Sequence, residues 1–419
     1  MKTKKFFKQI VFVSICIIFV ACLSKTAPLK QTFSEIDKVI QAEIGNDNIP
    51  GAVILITQDN EMIYHKAYGD AQKYSYGKKQ LSKPIPMQKD TMFDAASLTK
   101  VFATTFAIML LVDEELINLD DPVSSYLPGF NANDKKDITI RHLLTHTSGL
   151  PEWKPLYYHA TNPKEALNYI KKIPMKYPVG TERHYSDLGF MVLGYVVEKV
   201  SGKPLNVYID EKLYKKLNLP NTLFKPGKIK KTNIAATSHG NPFEKRMVED
   251  DTFGFACDEN PTDFKSWRQY TLIGEVNDGN SFYAHNGVAG HAGLFSTAED
   301  LLELINIILN KGKYGNTRII KEKTINEFIK KDRFGNGLGW ALSPRIIYTD
   351  SFKDVEAFGH TGFTGTFVLG VPKIRLAIIL LTNRQNVGVN EKGSYYNLKT
   401  LRKGIVDIVL KEYADVLKP

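Results

Sequence analysis

Hydrophobic residues recur along this chain with two different periods, and the changes of period mark out its elements. Between residues 34 and 44, Ile36, Val39, Ile40 and Ile44 repeat every three or four positions, which predicts an amphipathic helix. Residues 51–57 and 62–68 are rich in apolar side chains and flank the polar Gln58-Asp59-Asn60-Glu61, the pattern of a β-hairpin. Helical spacing returns near 98–112, 139–145, 163–172, 187–201 and 205–217, with proline and glycine between the stretches. From about 225 to 285 the pattern is irregular and polar, which predicts a long insertion with a functional use.

Order resumes after the insertion. Ser296-Thr297-Ala298-Glu299 reads as a helix start for the run 301–309, with an acidic residue placed to reach back to the cap. Residues 366–371 and 375–382 read as adjacent strands joined at Pro372-Lys373, and 398–416 as a closing helix. Strands near both termini around a helical middle predict one sheet assembled from the two chain ends. No internal repeat or low-complexity segment is visible.

Composition narrows the class. The chain has 419 residues, 43% hydrophobic and 24% charged, which excludes a disordered or collagen-like chain and leaves room for a large core. The 55 Lys and Arg against 45 Asp and Glu give +10, but Lys2, Lys4, Lys5 and Lys8 precede an apolar run from 10 to 21. That run is too short to span a bilayer and fits a signal-peptide core. It ends in Ala21-Cys22, a small residue before a cysteine, as in a bacterial lipobox. Residues 1–21 are therefore expected to be removed, with Cys22 lipidated and 22–32 serving as a tether; an ordinary signal peptide or an uncleaved anchor is the alternative.

Removal leaves 51 basic against 45 acidic residues, an ordinary balance. No basic motif calls for nucleic acid, and the run Lys225 to Lys231 reads as a solvated face. Cys16 leaves with the signal and Cys22 carries lipid, so Cys257 has no disulfide partner in the mature chain. Without an activating neighbour, Cys257 reads as structural.

The strongest chemical signal is Ser97-Leu98-Thr99-Lys100, followed by the apolar helix. Positions i and i+3 of a helix share a face, so the Lys100 amine can approach the Ser97 hydroxyl and serve as its base. Placement in the first helical turn also aims a backbone N–H and the positive helix end at whatever the serine attacks. Two further motifs follow in order: Tyr185-Ser186-Asp187 at a helix start, and His360-Thr361-Gly362 within 358–365 at a strand pair.

Together these resemble the serine β-lactamase and penicillin-binding-protein superfamily, particularly its class C-like hydrolases, marked by S-x-x-K, Y-x-N and K-T-G or H-T-G. The resemblance covers 33–416. It implies an α+β, β-lactamase-like fold: an antiparallel sheet flanked by helices, with a mostly α-helical second lobe. On that reading 33–96 and 286–416 form the α/β lobe, 97–224 the helical lobe and 225–285 the insertion. It also implies Ser97 as the acylated nucleophile, Lys100 as its proton acceptor or electrostatic partner, and Tyr185 as a base that protonates the leaving group. The backbone N–H groups of Ser97 and Phe363 would form the oxyanion hole. A phenol has a pKa near 10, so Tyr185 is expected to need positive charge from Lys100 or a protonated His360 to act as phenolate.

Two positions depart from the family pattern. Asp187 stands for the usual asparagine and exchanges an amide for an acceptor-only carboxylate. His360 stands for lysine, so binding of an anionic substrate is expected to weaken as pH rises. Glu275 to Asn280 and Gly287 to Gly293 resemble the G-x-V-H-D-x-N-A and A-G-H-A-G-L-F pattern of muropeptide amidases and a low-molecular-mass penicillin-binding protein. Asp278, Asn280 and His291 match, as possible cleft residues or loop caps, while Asn277 stands where the pattern has histidine.

His142 and His146 have zinc-helix spacing but lack the glutamate and third ligand, so they read as structural, and no metal or cofactor is expected. Tyr157, Tyr158 and His159 line a cleft or cover the core. The favoured activity is a lipid-anchored envelope hydrolase acting on an amide of peptidoglycan-derived, peptide-like material. A β-lactamase or small-ester hydrolase using the same residues, and a non-hydrolytic binding protein, are the alternatives.

Overall fold

The computed structural model describes residues 32–131, 134–228, 233–255 and 257–417. The signal segment, Cys22 and nearly all of the tether lie outside the described residues, as do 229–232 of the basic run. Among the described residues no helix is long and apolar enough to cross a membrane.

A first helix, α1 (32–45), leads into a seven-stranded sheet. Its strands are β1 (Gly51–Gln58), β2 (Glu61–Ser75), β3 (Lys79–Pro86), β4 (Ala341–Leu342), β5 (Phe358–Thr361), β6 (Phe367–Val371) and β7 (Leu376–Thr382). They lie in the order β3-β2-β1-β7-β6-β5-β4, every neighbouring pair antiparallel. The two chain ends meet at the centre, where β1 and β7 pair from Ala52–Thr382 to Gln58–Leu376.

The alternation of β1 and β7 sorts their side chains into two cores, because successive residues of a strand face opposite sides. Ala52, Ile54, Ile56, Ile378 and Leu380 pack with Ile36 and Ile40 of α1 and with Leu401, Ile405 and Val409 of the helix Lys399–Lys411. Val53, Leu55, Ala377, Ile379 and Leu381 face the helical lobe, against Phe102, Phe106, Leu304 and Ile308. Both faces are covered, so these strands are apolar over 52–56 and 376–381.

The sequence pattern misses β3 and the second half of β2. Most of the side chains of β3 are exposed, so this edge strand carries no hydrophobic alternation to detect. The helix 298–309 is capped by Thr297, whose side chain accepts the Asp300 N–H; that bond stands where a glutamate reaching back was expected. The 225–285 stretch contains the helix Pro242–Glu249, and its aromatic residues pack around Trp153 and Tyr157.

Candidate active site

Ser97 sits at a sharp turn between the short strand Phe93–Asp94 and the helix that begins at Leu98. The preceding Ala96 has φ +47°, a left-handed conformation costing an alanine about 1–2 kcal/mol. Buried Asp94 holds that turn, its carboxylate accepting the N–H of Ala96 at 2.8 Å and of Asn277 at 2.6 Å. Burial pushes Asp94 up to about 6, against the pull of these two donors.

One turn on, the fully buried Lys100 donates to Ser97 Oγ at 3.1 Å and to the His291 carbonyl at 3.2 Å, and lies 2.7 Å from Asp187 Oδ1. Burial alone would lower its pKa; the Asp187 carboxylate, with a smaller contribution from contact with Tyr185, outweighs that and holds Lys100 above its ordinary value, as an ammonium. The helix carries a run of wider turns from Lys100 to Thr105.

Tyr185 and Asp187 arrive on an irregular segment that becomes a helix at Asp187, capped by Ser186, whose Oγ accepts the Gly189 N–H at 3.1 Å. His146 pins the segment: its carbonyl accepts the His184 N–H and its Nδ1 accepts the Ser186 N–H at 3.0 Å. His142 Nδ1 instead accepts the Thr139 N–H at the start of its own short helix. The Tyr185 side chain interacts with both Ser97 and Lys100, and the Lys100 ammonium lies 4.9 Å from its ring centre. Burial nonetheless raises the phenol, with Lys100 opposing and Asp187 adding to the shift. The condition set for a Tyr185 phenolate is therefore not met: Tyr185 is a phenol beside an ammonium already paired with Asp187.

His360 requires a second correction. Its Nδ1 donates to the Thr361 carbonyl at 2.8 Å, and burial, followed by the Lys100 charge, pushes it down to about 3. The imidazole is neutral across the physiological range and supplies no titrating cation.

The oxyanion side is clamped to the nucleophile turn. Thr364 Oγ1 donates to the Asp94 carbonyl at 2.7 Å, and Thr366 Oγ1 to that of Ala95 at 3.1 Å. Gly362 lies so close that a Cβ there would fall 2.6 Å from the Ala95 oxygen and against Thr366 Oγ1. Among the described residues, the N–H groups of Ser97 and Phe363 donate to no backbone acceptor, leaving both available to a developing oxyanion. Arg384 fixes the loop, donating to the Phe363 carbonyl from Nη2 at 2.7 Å and from Nε at 3.2 Å. The Phe363 ring, 39% exposed, packs edgewise on Phe243 and Tyr395.

The remaining matched residues divide. His291 Nε2 lies 2.9 Å from Asp278 Oδ1, and one ligand atom from each of Asp187, Asp278 and His291 comes within 4.8 Å of the others. The Lys100 ammonium supplies positive charge beside that group, ion-paired with Asp187, whose Oδ1 is close but not aligned for a hydrogen bond, and donating to the His291 carbonyl. Asn280 is fully buried, its amide spent on the Leu156 N–H and the Lys154 carbonyl, so it ties loops together. Asn277 is likewise spent, its Nδ2 donating to Ser238 Oγ at 2.6 Å. Tyr157 is buried in the aromatic cluster, and the half-buried Cys257 thiol, raised by burial, contacts the Met247 carbonyl at 3.4 Å.

Two residues escaped the sequence reading. Glu244, on the insertion helix, accepts the Gly279 N–H at 2.7 Å beside Asp278, and burial and that neighbouring carboxylate push it up to about 8. Arg183, two residues before Tyr185, makes no hydrogen bond or ion pair with any described residue, and its Nε is shielded from solvent. Burial, with Arg345 nearby, lowers it to about 10 against the opposing influence of Tyr185 and the Asp332 carboxylate, so it remains a cation. A shielded donor without a partner costs about 1–3 kcal/mol. Position two before the tyrosine of the motif was the one available signal for Arg183.

The beta-lactamase family profile matches residues 36–401. The chain is 36% identical over 375 residues to an N-acetylmuramyl-L-alanine amidase of Bacillus subtilis (strain 168), covering 85% of this chain and 81% of the relative. It is 32% identical over 388 residues to a putative D-alanyl-D-alanine carboxypeptidase of Escherichia coli (strain K12), covering 86% of each. Among solved structures, EstCE1, a hydrolase with promiscuous acyltransferase activity, superposes with TM-score 0.67 at 23% identity, covering 91% of this chain and 99% of that one. At that identity the likeness speaks to fold.

Proposed function

Because this chain belongs to the beta-lactamase family, as a serine hydrolase of the β-lactamase and penicillin-binding-protein superfamily, we propose that it cleaves an amide bond of peptidoglycan-derived material through an acyl-enzyme on Ser97. The observation that carries this reading is the contact of Ser97 Oγ with a fully buried Lys100, beside two uncommitted backbone N–H groups. The named activities of the two relatives supply the substrate class.

In this reading Ser97 Oγ bonds to the amide carbon while the carbonyl oxygen takes charge between the Ser97 and Phe363 N–H groups. Lys100 starts as an ammonium, so it accepts the serine proton only as it passes one to Asp187 Oδ1, 2.7 Å away. The Tyr185 phenol gives its proton to the leaving nitrogen as the C–N bond breaks, and is reprotonated from Lys100. Water then attacks the ester; one of its protons leaves with the carboxylic acid, the other restores Ser97, and Asp187 returns its proton to Lys100. Asp187 thus gives this chain a proton acceptor that the family's asparagine lacks. We further propose that Cys22 carries the lipid that holds the enzyme at the cell envelope.

The test incubates the full chain and its Ser97→Ala variant with muropeptides, nitrocefin and a short-chain ester, reading products by mass spectrometry. Release of a stem peptide or a terminal D-alanine by wild type alone is the expected result. Turnover confined to nitrocefin or the ester refutes the substrate class, and equal behaviour of wild type and variant refutes the enzymatic reading.

A further inference from the structure

A cavity of about 620 Å³ opens where the insertion meets residues 154–174, and no residue proposed for catalysis lines it. Its volume falls within the roughly 300–1,000 Å³ of small-molecule sites. The walls come from residues 154–159, from the helix Pro163–Ile170 with the turn after it, and from 258–263 of the insertion. They are tied to the active site, because the side chain of Asn280, two residues from Asp278, accepts the Leu156 N–H at 2.7 Å and donates to the Lys154 carbonyl at 2.9 Å. Adjacent tyrosines of that wall have different neighbours: a Cβ on Gly279 would meet the Tyr157 ring at 3.2 Å, whereas Tyr158 lines the cavity.

The lining combines fixed aromatic rings with an incompletely satisfied carboxylate. The Tyr158 ring rests against those of Tyr157 and Phe264, with centres 5.6 and 5.4 Å apart, and Tyr169 is stacked on His159 at 4.0 Å. The Glu259 side chain is 7% exposed; its Oε1 lies 3.2 Å from His159 Nε2, while its Oε2 is shielded from solvent and accepts no hydrogen bond among the described residues. The thiol of Cys257, two residues away, donates instead to the Met247 carbonyl. A buried acceptor left open is unfavourable, and a donor brought by a ligand relieves it.

The same walls select among ligands. Two lysines and a histidine stand against three carboxylates, so the cavity is close to charge balance and favours neither a strong anion nor a strong cation. None of the lining residues lies on a strand, so an extended peptide finds no sheet edge to pair with. A pyranose matches what is present: its C–H face suits a tyrosine ring, and its hydroxyls donate to carboxylates and accept from lysines.

We propose that this cavity is a saccharide-binding site, in which a pyranose ring packs on Tyr158 and Tyr169 and gives a hydroxyl hydrogen bond to Glu259. The site goes beyond the amide-cleaving reading, since it holds glycan apart from the bond that is cut. It rests on that reading only for the source of the sugar.

The test measures binding of triacetylchitotriose, a soluble oligomer of N-acetylglucosamine, to the full-length Ser97→Ala protein in detergent by calorimetry and saturation-transfer NMR. Saturable binding is expected, weakened about fivefold by Tyr169→Ala and about tenfold by Glu259→Ala. The two substitutions lie on different walls, and near-ultraviolet circular dichroism checks that each variant is folded. Cleavage of muropeptides by wild type is scored separately. Absence of binding, or binding that neither substitution changes, overturns the saccharide site and leaves amide cleavage standing. Binding lost in the variants, together with a wild type that cleaves no muropeptide, keeps the saccharide site and removes the amidase reading.

Discussion

The pairing of Lys100 with Asp187 can be measured by a double-mutant cycle of Asp187→Asn, Lys100→Met and the double variant. At an effective dielectric of about 20, unit charges 2.7 Å apart attract by roughly 6 kcal/mol. The lysine side chain is fully buried but that of Asp187 is 20% exposed, and asparagine at 187 still accepts a hydrogen bond, so roughly half of this should appear as coupling. The resulting figure of about 3 kcal/mol sits at the low end for a broken buried pair. For a domain of about 385 residues, at about 2.1 cal/mol/K each, that is a fall in Tm of about 4 °C for Asp187→Asn. The folded pKa of Lys100 is raised above 10.5. Its stabilisation is therefore fully present below the unfolded value and lost only as pH rises through the folded one. From the lysine side the coupling should thus be equal at neutral and mildly alkaline pH. The assay is denaturant unfolding of all four proteins, in low salt and in about 1 M NaCl, where an exposed pair would be screened. A coupling below about 0.5 kcal/mol, or one abolished by salt, would refute the account of Lys100 as an ammonium held by a buried counter-ion.

Other consequences follow from the same geometry. Gly362→Ala forces the edge of β5 away from Ala95 and displaces the Phe363 N–H, so acylation by a fluorescent penicillin should slow on the order of a hundredfold while the protein stays folded. Wild-type rates in that variant would remove Phe363 from the oxyanion hole. Burial, then Lys100, lowers His360 from 6.5 to about 3, so the folded state binds its proton less readily than the unfolded chain and loses stability as pH falls through that interval. His360→Gln should therefore lose less stability than wild type on acidification from pH 6.5, and its kcat/KM should keep the wild-type profile around neutrality. A limb near pH 6.5 that disappears in His360→Gln would show that the imidazole titrates during turnover.

Much of this molecule is local, and what is local was legible. The periods of β1, β7 and the helices follow from which side chains must leave water, and S-x-x-K, Y-S-D and H-T-G carry their spacing within single turns or strands. The exposed edge strand β3 was invisible because its residues bury little and so repeat nothing. Asn280 matched a motif, yet its amide is consumed by the backbone of residues 154–156, a partner far away in the chain. The charge states were beyond reach for the same reason. Whether Lys100 is an ammonium, Tyr185 a phenol and His360 a neutral ring depends on burial and on counter-ions brought from remote segments. Arg183 became conspicuous only once the surrounding chain was seen to give it no partner. The sequence by itself determined which groups this protein has for chemistry and on which elements they ride. Only tertiary packing decided their protons and partners, because desolvation and Coulomb energy depend on distances in space and not along the chain.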